Sequence, residues 1–259
     1  MKELESDRKL VLLAPLGARI PGPYRCIEQN DDRYSELLRQ LQALRGRIMV
    51  EECVITEDHL DESGCHKAPA DFESWHLLIM HNGRVSGCAR YLVHPSNVML
   101  SELVVKRTAN FGCENWAKRV SAALQRELGI ARRHAFSLVE FGGWALAKEL
   151  RGTSEAARMA LASYAFCQIA GGCFGLTTAT VQHGSSSILR RIGGRSLVHE
   201  GEAIPRYYDP EYNCEMEMLR FDSRQPNPKY LPLLKGIRAS LLSTPIICRS
   251  EATQLSWAS

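Results

Sequence analysis

The chain contains no Cys-x-x-Cys pair, although it carries 9 cysteines in 259 residues. Zinc ribbons and dithiol redox motifs need that spacing, so neither is expected. Cys53, Cys65 and His66 lie close together in sequence without a second ligand pair, and no metal site is predicted. Scattered, odd-numbered thiols predict reduced cysteines, many of them buried, in a cytoplasmic protein. No apolar run approaches the roughly 20 residues a membrane helix requires, so no integral membrane segment is expected. The charged start Met1-Lys-Glu-Leu-Glu-Ser-Asp-Arg8 is followed by no apolar stretch of leader length, and no secretory signal is read there. A strong charge bias is missing too. Lys and Arg number 32 against 29 Asp and Glu, and a net charge of +3 is too small to call for nucleic acid. Internal repeats and low-complexity tracts are absent.

What is present is an ordinary globular composition, 45% hydrophobic and 24% charged. The length predicts a single domain over residues 1–259, with a core of about 30–222, a short helix and a loose tail within 223–259. Lys9–Ala14 reads either as a first strand or as a segment lying on the core. Asp31–Arg45 reads as a helix capped by Asn30 or Asp31, with Leu37, Leu38, Leu41 and Leu44 on its buried face. The polar stretch Glu57–Asp71 reads as a loop or lid. Asn82-Gly83 between two apolar runs predicts a hairpin with a type I′ turn. Glu114–Leu128 is a second amphipathic helix with Trp116, Val120, Ala123, Leu124 and Leu128 on one stripe and Gly129 as its cap. Strands at Leu176–Val181 and Cys214–Phe221 and a helix at Leu231–Leu242 follow. This order predicts a mixed α/β layer fold around one sheet.

The chemistry concentrates between Ser137 and Gly194. Ser137–Leu146 reads as a strand with one carboxylate, Glu140, in an apolar run. Gly142-Gly143 in that strand predicts a bulge or a close backbone approach, and hence a splay beside Glu140. A buried carboxylate needs a partner or a task. Arg90 would serve as a salt-bridge partner; the alternative is a general base whose proton affinity is lifted by apolar neighbours. The turn Leu150-Arg151-Gly152-Thr153-Ser154 opens a helix that Gly171-Gly172 ends. Free N–H groups at that helix start, with Arg151 and Gly152, fit a phosphate as well as they fit a plain capped junction.

A strand of this kind followed by Arg151-Gly152-Thr153-Ser154-Glu155-Ala156 resembles the acyl-donor motif of the GNAT superfamily, with Ser154 where glycine is usual. His183 to Gly193 is similar to a second GNAT motif, with Leu189 where many acetyltransferases carry a tyrosine acid. Leu44-Arg45-Gly46-Arg47-Ile48-Met49, Asp71, and Gly87-Cys88-Ala89-Arg90-Tyr91-Leu92 resemble stretches of acyl-homoserine lactone synthases. With Gly142–Ala147 and Tyr207-Tyr208-Asp209-Pro210, the chain resembles bacterial long-chain N-acyl amino acid synthases across roughly 33–221.

The resemblance implies a GNAT-like, mostly antiparallel sheet with a splayed strand pair and helices on both faces. It implies transfer of a long-chain acyl group from acyl carrier protein, or coenzyme A, to the α-amine of an amino acid, with acyl-phosphopantetheine as co-substrate and no tightly bound cofactor. Glu140 is then the expected base, and His183 either assists proton transfer or fixes the helix start. Gly142, Trp144, Arg151, Gly152, Thr153 and Ser154 would hold the thioester arm, and Arg45, Asp71 and Arg90 the acceptor. Arg190, Arg191 and Arg195, with Lys148 and Arg151, would dock acidic carrier protein or simply form a solvated face. A signal synthase of the lactone type, a coenzyme A-dependent acetyltransferase and a non-catalytic acyl-binding module are the competing readings.

Overall fold

The computed structural model describes residues 8–250 and the backbone of 253–254. The remainder of the predicted loose tail lies outside the described residues. Ten strands build the main sheet: β1 (Arg8–Leu13), β2 (Ile27–Gln29), β3 (Trp75–His81), β4 (Arg84–His94), β5 (Ser137–Leu146), β6 (Cys173–Thr180), β7 (Arg195–Ser196), β8 (Tyr207–Asp209), β9 (Cys214–Asp222) and β10 (Ile246–Cys248). Their order is β8-β9-β6-β5-β4-β3-β1-β10-β2, with β7 also paired to β9. Neighbours are antiparallel except β5–β6, β1–β10 and β10–β2. Among the described residues five α-helices pack on it: α1 (Asp31–Glu51), α2 (Glu114–Arg133), α3 (Glu155–Ile169), α4 (Ser185–Ile192) and α5 (Leu231–Leu242). No helix among the described residues is long and apolar enough to cross a membrane.

Local chemistry explains most of these elements. Asn82 and Gly83 take φ of +51° and +74° and turn β3 into β4, as a type I′ hairpin requires. Asn30 caps α1 by accepting from Arg33 N at 3.0 Å. α1 runs past the expected end at Arg45 to Glu51. Gly46 does not break it; its missing side chain leaves room for the 60–66 loop, whose Gly64 carbonyl would lie 3.0 Å from a Cβ there. In α2 the whole predicted stripe is buried. Gly129 does not cap that helix but continues it to Arg133, with His134 at the cap.

The helices cover both faces. α1 packs Leu37, Leu41 and Leu44 against Val11, Leu78, Cys88 and Ile247. α2 covers the same face further along, over Leu138, Phe174 and Leu176. α3 and α5 cover the opposite face, over Leu12, Leu77, Tyr91 and Val139.

Two expectations need correction. The sheet extends beyond 30–222 at both ends. β1 lies inside it, and Ile246, Ile247 and Cys248 are wholly buried between β1 and β2 in a segment expected to be loose. Three apolar residues are too few to show a strand period. Nor are all nine thiols reduced: Cys167 and Cys173 form a disulfide from the end of α3 to the start of β6. Gly171 and Gly172, at φ +91° and +107°, reverse the chain between them and bring their Cα atoms to 5.5 Å.

Candidate active site

Parallel pairing of β5 with β6 begins at Ser137–Cys173 and stops at Glu140–Leu176, yet β5 runs on to Leu146 and β6 to Thr180. The strands fork there, and the Thr177 hydroxyl donates to the Phe141 carbonyl at 2.8 Å in the crotch. Beyond Glu140, β5 has no strand partner on its β6 side among the described residues. Its other edge stays on β4, but an extra residue enters between Gly142, paired with Arg90, and Ala145, paired with Cys88. Gly143 takes φ +58° in this bulge, a value that glycine adopts without steric cost. A Cβ on Gly142 would stand 3.2 Å from Arg90 Nη2, and one on Gly143 3.1 Å from Arg45 Nη1. The glycine pair therefore supplies both a bulge and a close approach.

A cavity of about 430 Å³ opens at the fork and is lined from both faces of the sheet. That volume suits a small-molecule site. On the α1 face its wall holds Arg90, Arg107, Glu140 and Tyr212. On the α3 face it is formed by Met159, Ala160, Ile188, Leu189 and Phe221. One end is thus charged and the other apolar.

Glu140, 5% exposed, is fixed by three donors. Its Oε1 accepts from His94 Nε2 at 2.7 Å and from Val104 N at 2.9 Å, and its Oε2 from Val105 N at 2.5 Å. These are charge-assisted bonds. The salt bridge with Arg90 that the sequence offers is not made. A carboxylate has about four acceptor positions, so one on Oε2 is left for a substrate N–H or a water.

Arg45 and Asp71 satisfy each other. Arg45 donates to both Asp71 oxygens, at 2.9 and 2.5 Å, to the His66 carbonyl at 2.5 Å and to His66 Nδ1 at 3.2 Å. Asp71 is 0% exposed and also accepts from Gln42 Nε2 and Ala68 N. Its burial favours the protonated acid, but Arg45's hydrogen bonds and charge outweigh that and hold the carboxyl at about 2. Burial, followed by the Arg45 charge, pushes His66 down to about 4, and burial does the same to His76. Asp71 does not border the cavity. Arg45 does line it, but four of its five N–H donors are held by Asp71 and His66. Arg90 is different. Its Nη1 stands 3.7 Å from Asp71 Oδ1, and its buried Nε has no hydrogen-bond partner among the described residues. Burial lowers its proton affinity.

Of the predicted arm-binding residues, Gly142, Trp144, Arg151 and Gly152 line the cavity, and Thr153 and Ser154 do not. Gly152 takes φ +71° and faces open space. Thr153 donates to Leu150 O at 2.6 Å and accepts from Glu155 N at 3.2 Å, so its hydroxyl is spent within the turn that leads into α3. Ser154 makes no side-chain cap bond. Trp144 lines the cavity, and its buried Nε1 has no partner among the described residues. Arg151 pairs with Glu52 at 2.9 Å, and His183 Nδ1 stands 3.9 Å from the other Glu52 oxygen. His183 follows Thr180, about 13 Å along β6 from Leu176, the residue opposite Glu140. His183 and Glu140 both line the cavity, with His183 on the side of Glu52 and Arg151. Of the expected basic dock, Arg190 is tied to Glu217 at 2.5 Å and to Ser196, while Arg191 and Arg195 are exposed.

Sequence reasoning missed His94, Glu52, Arg107 and Tyr212. The link of His94 to Glu140 depends on the β4–β5 register across a bulge.

No family model and no curated protein matches the sequence. Solved structures do match. The coenzyme A-dependent acyl-homoserine lactone synthase BjaI, with S-adenosylmethionine and isopentyl-CoA, superposes with a TM-score of 0.56 at 17% identity, over 96% of this chain and 94% of that one. The fold is that of an acyl-homoserine lactone synthase. BjaI with MTA matches equally well. FeeM, an N-acyl amino acid synthase from uncultured soil microbes, matches at 9% identity over 84% of this chain and 92% of its own, with a TM-score of 0.48. The forked sheet of this GNAT-like fold is the architecture that the motifs around Glu140 and Arg151 implied.

Proposed function

We propose that the protein is an N-acyltransferase that moves a long-chain acyl group from a carrier-protein thioester to the α-amine of an amino acid. One observation carries this reading: the cavity crosses the sheet at the fork, apolar toward α3 and α4, with Arg90 and Glu140 at its other end. The acyl chain occupies the apolar end, and the thioester carbonyl lies against the unpaired edge of β5. The arm leaves along the mouth, where its phosphate replaces Glu52 as the partner of Arg151 and meets the N-terminus of α3. Exposed Arg191, Arg195 and Lys148 face an acidic carrier.

The amino acid carboxylate pairs with Arg90, whose guanidinium the buried Arg45–Asp71 pair positions. The α-amine is mostly protonated at neutral pH. Glu140 takes its proton through the free Oε2 position, directly or by one water. The amine nitrogen then attacks the carbonyl carbon, and backbone N–H groups of Gly142 to Trp144 receive the oxyanion. The nitrogen, cationic after addition, gives up its second proton to water as collapse breaks the carbon–sulfur bond; the released thiolate takes up a proton from that water, and Glu140 returns the first proton to solvent. A thiolate leaves readily, in keeping with Leu189 at the tyrosine position.

Incubation with acyl carrier protein thioester or acyl-CoA and an amino acid mixture, followed by mass spectrometry, tests this. An N-acyl amino acid formed from the carrier thioester supports it. Product from acyl-CoA alone refutes the carrier, and no amide from either donor refutes the acyl transfer.

A further inference from the structure

The apolar end of the cavity stops at an aromatic wall. Phe141 and Phe221 meet edge to face, with centroids 5.8 Å apart at 87°. Tyr91 braces Phe141 at 5.4 Å, and Tyr164 braces Phe221 at 5.9 Å. Behind them lies a second space of about 10 Å³, bounded by Tyr164, Gly175, Ser223 and the Cys167–Cys173 disulfide. Phe141, Ser163 and Phe221 border both spaces and stand between them. The smaller space is at the lower limit for one water.

The wall is built to hold its position. The Thr177 hydroxyl pins the Phe141 backbone at the fork. A Cβ at Gly175 would run into the Phe141 ring, so this glycine keeps the ring's seat open. Ser163 donates its hydroxyl to Ala160 O at 2.7 Å and offers no free donor to the cavity. The end of the cavity therefore suits a methyl terminus and not a charged one. Close-packed rings do not compress.

We propose that Phe141 and Phe221 form the stop that fixes acyl chain length, and that the space behind them is a reserve which a longer chain enters when the stop is trimmed. This rests on the acyl-transfer reading above. Each methylene that gains or loses a buried place changes kcat/KM by about fourfold.

The test is a series of saturated acyl thioesters in two-carbon steps, with amide product measured by mass spectrometry. Phe221→Leu removes part of the wall, and the optimum moves to a chain at least two carbons longer. Ala160→Leu fills the same end of the cavity, and the optimum moves shorter. An unchanged optimum in both variants, or a uniform loss of rate at every length, overturns the stop. If Phe221→Leu fails to fold, Ala160→Leu decides alone. Wild-type protein that makes no amide from any thioester overturns the acyl-transfer reading instead. The stop is then judged by binding of the free fatty acid series, read from tryptophan fluorescence. The longest chain bound must shift in the same two directions, and an unshifted cutoff overturns the proposal.

Discussion

Replacing Asp71 by Asn removes one charge from the buried pair that positions Arg90. Asp71 is fully buried and takes both Arg45 Nη groups, Gln42 and the Ala68 N–H. The variant keeps the size of the side chain but leaves the Arg45 charge uncompensated, which costs about 3–5 kcal/mol. The pH dependence gives an independent figure. The carboxyl sits at about 2 in place of its ordinary 3.8, which corresponds to about 2.5 kcal/mol at 1.36 kcal/mol per pKa unit. Because the folded value is depressed, this stability is present above pH 3.8 and is lost as pH falls toward 2. Urea unfolding followed by tryptophan fluorescence is the assay. At pH 7 the variant should be less stable by 2.5 kcal/mol or more. The gap should narrow as pH falls from about 4 to about 2.5. A variant within 1 kcal/mol of wild type at pH 7, or a gap unchanged at pH 2.5, would refute the argument.

Other predictions follow from the same geometry. Glu140→Gln should cut turnover by 100-fold or more with little change in donor binding by titration; near wild-type turnover removes Glu140 as base. Arg90→Met should raise KM for the amino acid by tenfold or more with a smaller change in kcat, checked by initial rates over amino acid concentration. Gly143→Ala should destabilise the fold by about 1–3 kcal/mol, because alanine must hold φ +58° with its Cβ 3.1 Å from Arg45 Nη1; calorimetry reads it. His66 and His76 sit at about 4, below the ordinary 6.5, so the folded state keeps them neutral. Stability should therefore fall between pH 6.5 and 4 as the unfolded chain takes up their protons, and His76→Gln should flatten that slope.

What the sequence discloses here is what neighbours in the chain decide. The bounds of β5 at Ser137–Leu146 and α5 at Leu231–Leu242, the Asn82-Gly83 hairpin and the buried stripe of α2 all rest on local period and turn chemistry. The glycine pair at 142–143 foretold a bulge because a strand interior otherwise disfavours glycine. Partnerships across the sheet were not legible. A lone Arg45 in a helix carries no sign of whether Asp71 or a substrate carboxylate will meet it, since both present the same chemical group. Glu140 reads as a base or a salt-bridge member, and only strand register brings His94 and the Val104–Val105 amides to it. β10 was hidden for a simpler reason: its three residues pair in parallel with strands more than 200 positions earlier.

The central claim is that the forked cavity joins an acyl chain to an amino acid. Its most direct test is the lipid extract of cells producing the wild-type protein or the Glu140→Gln variant, analysed by mass spectrometry. Wild type should accumulate N-acyl amino acids whose masses identify the acyl chain and the amino acid, and the variant should not. Equal amounts in both extracts, or none in the wild-type extract, would contradict it.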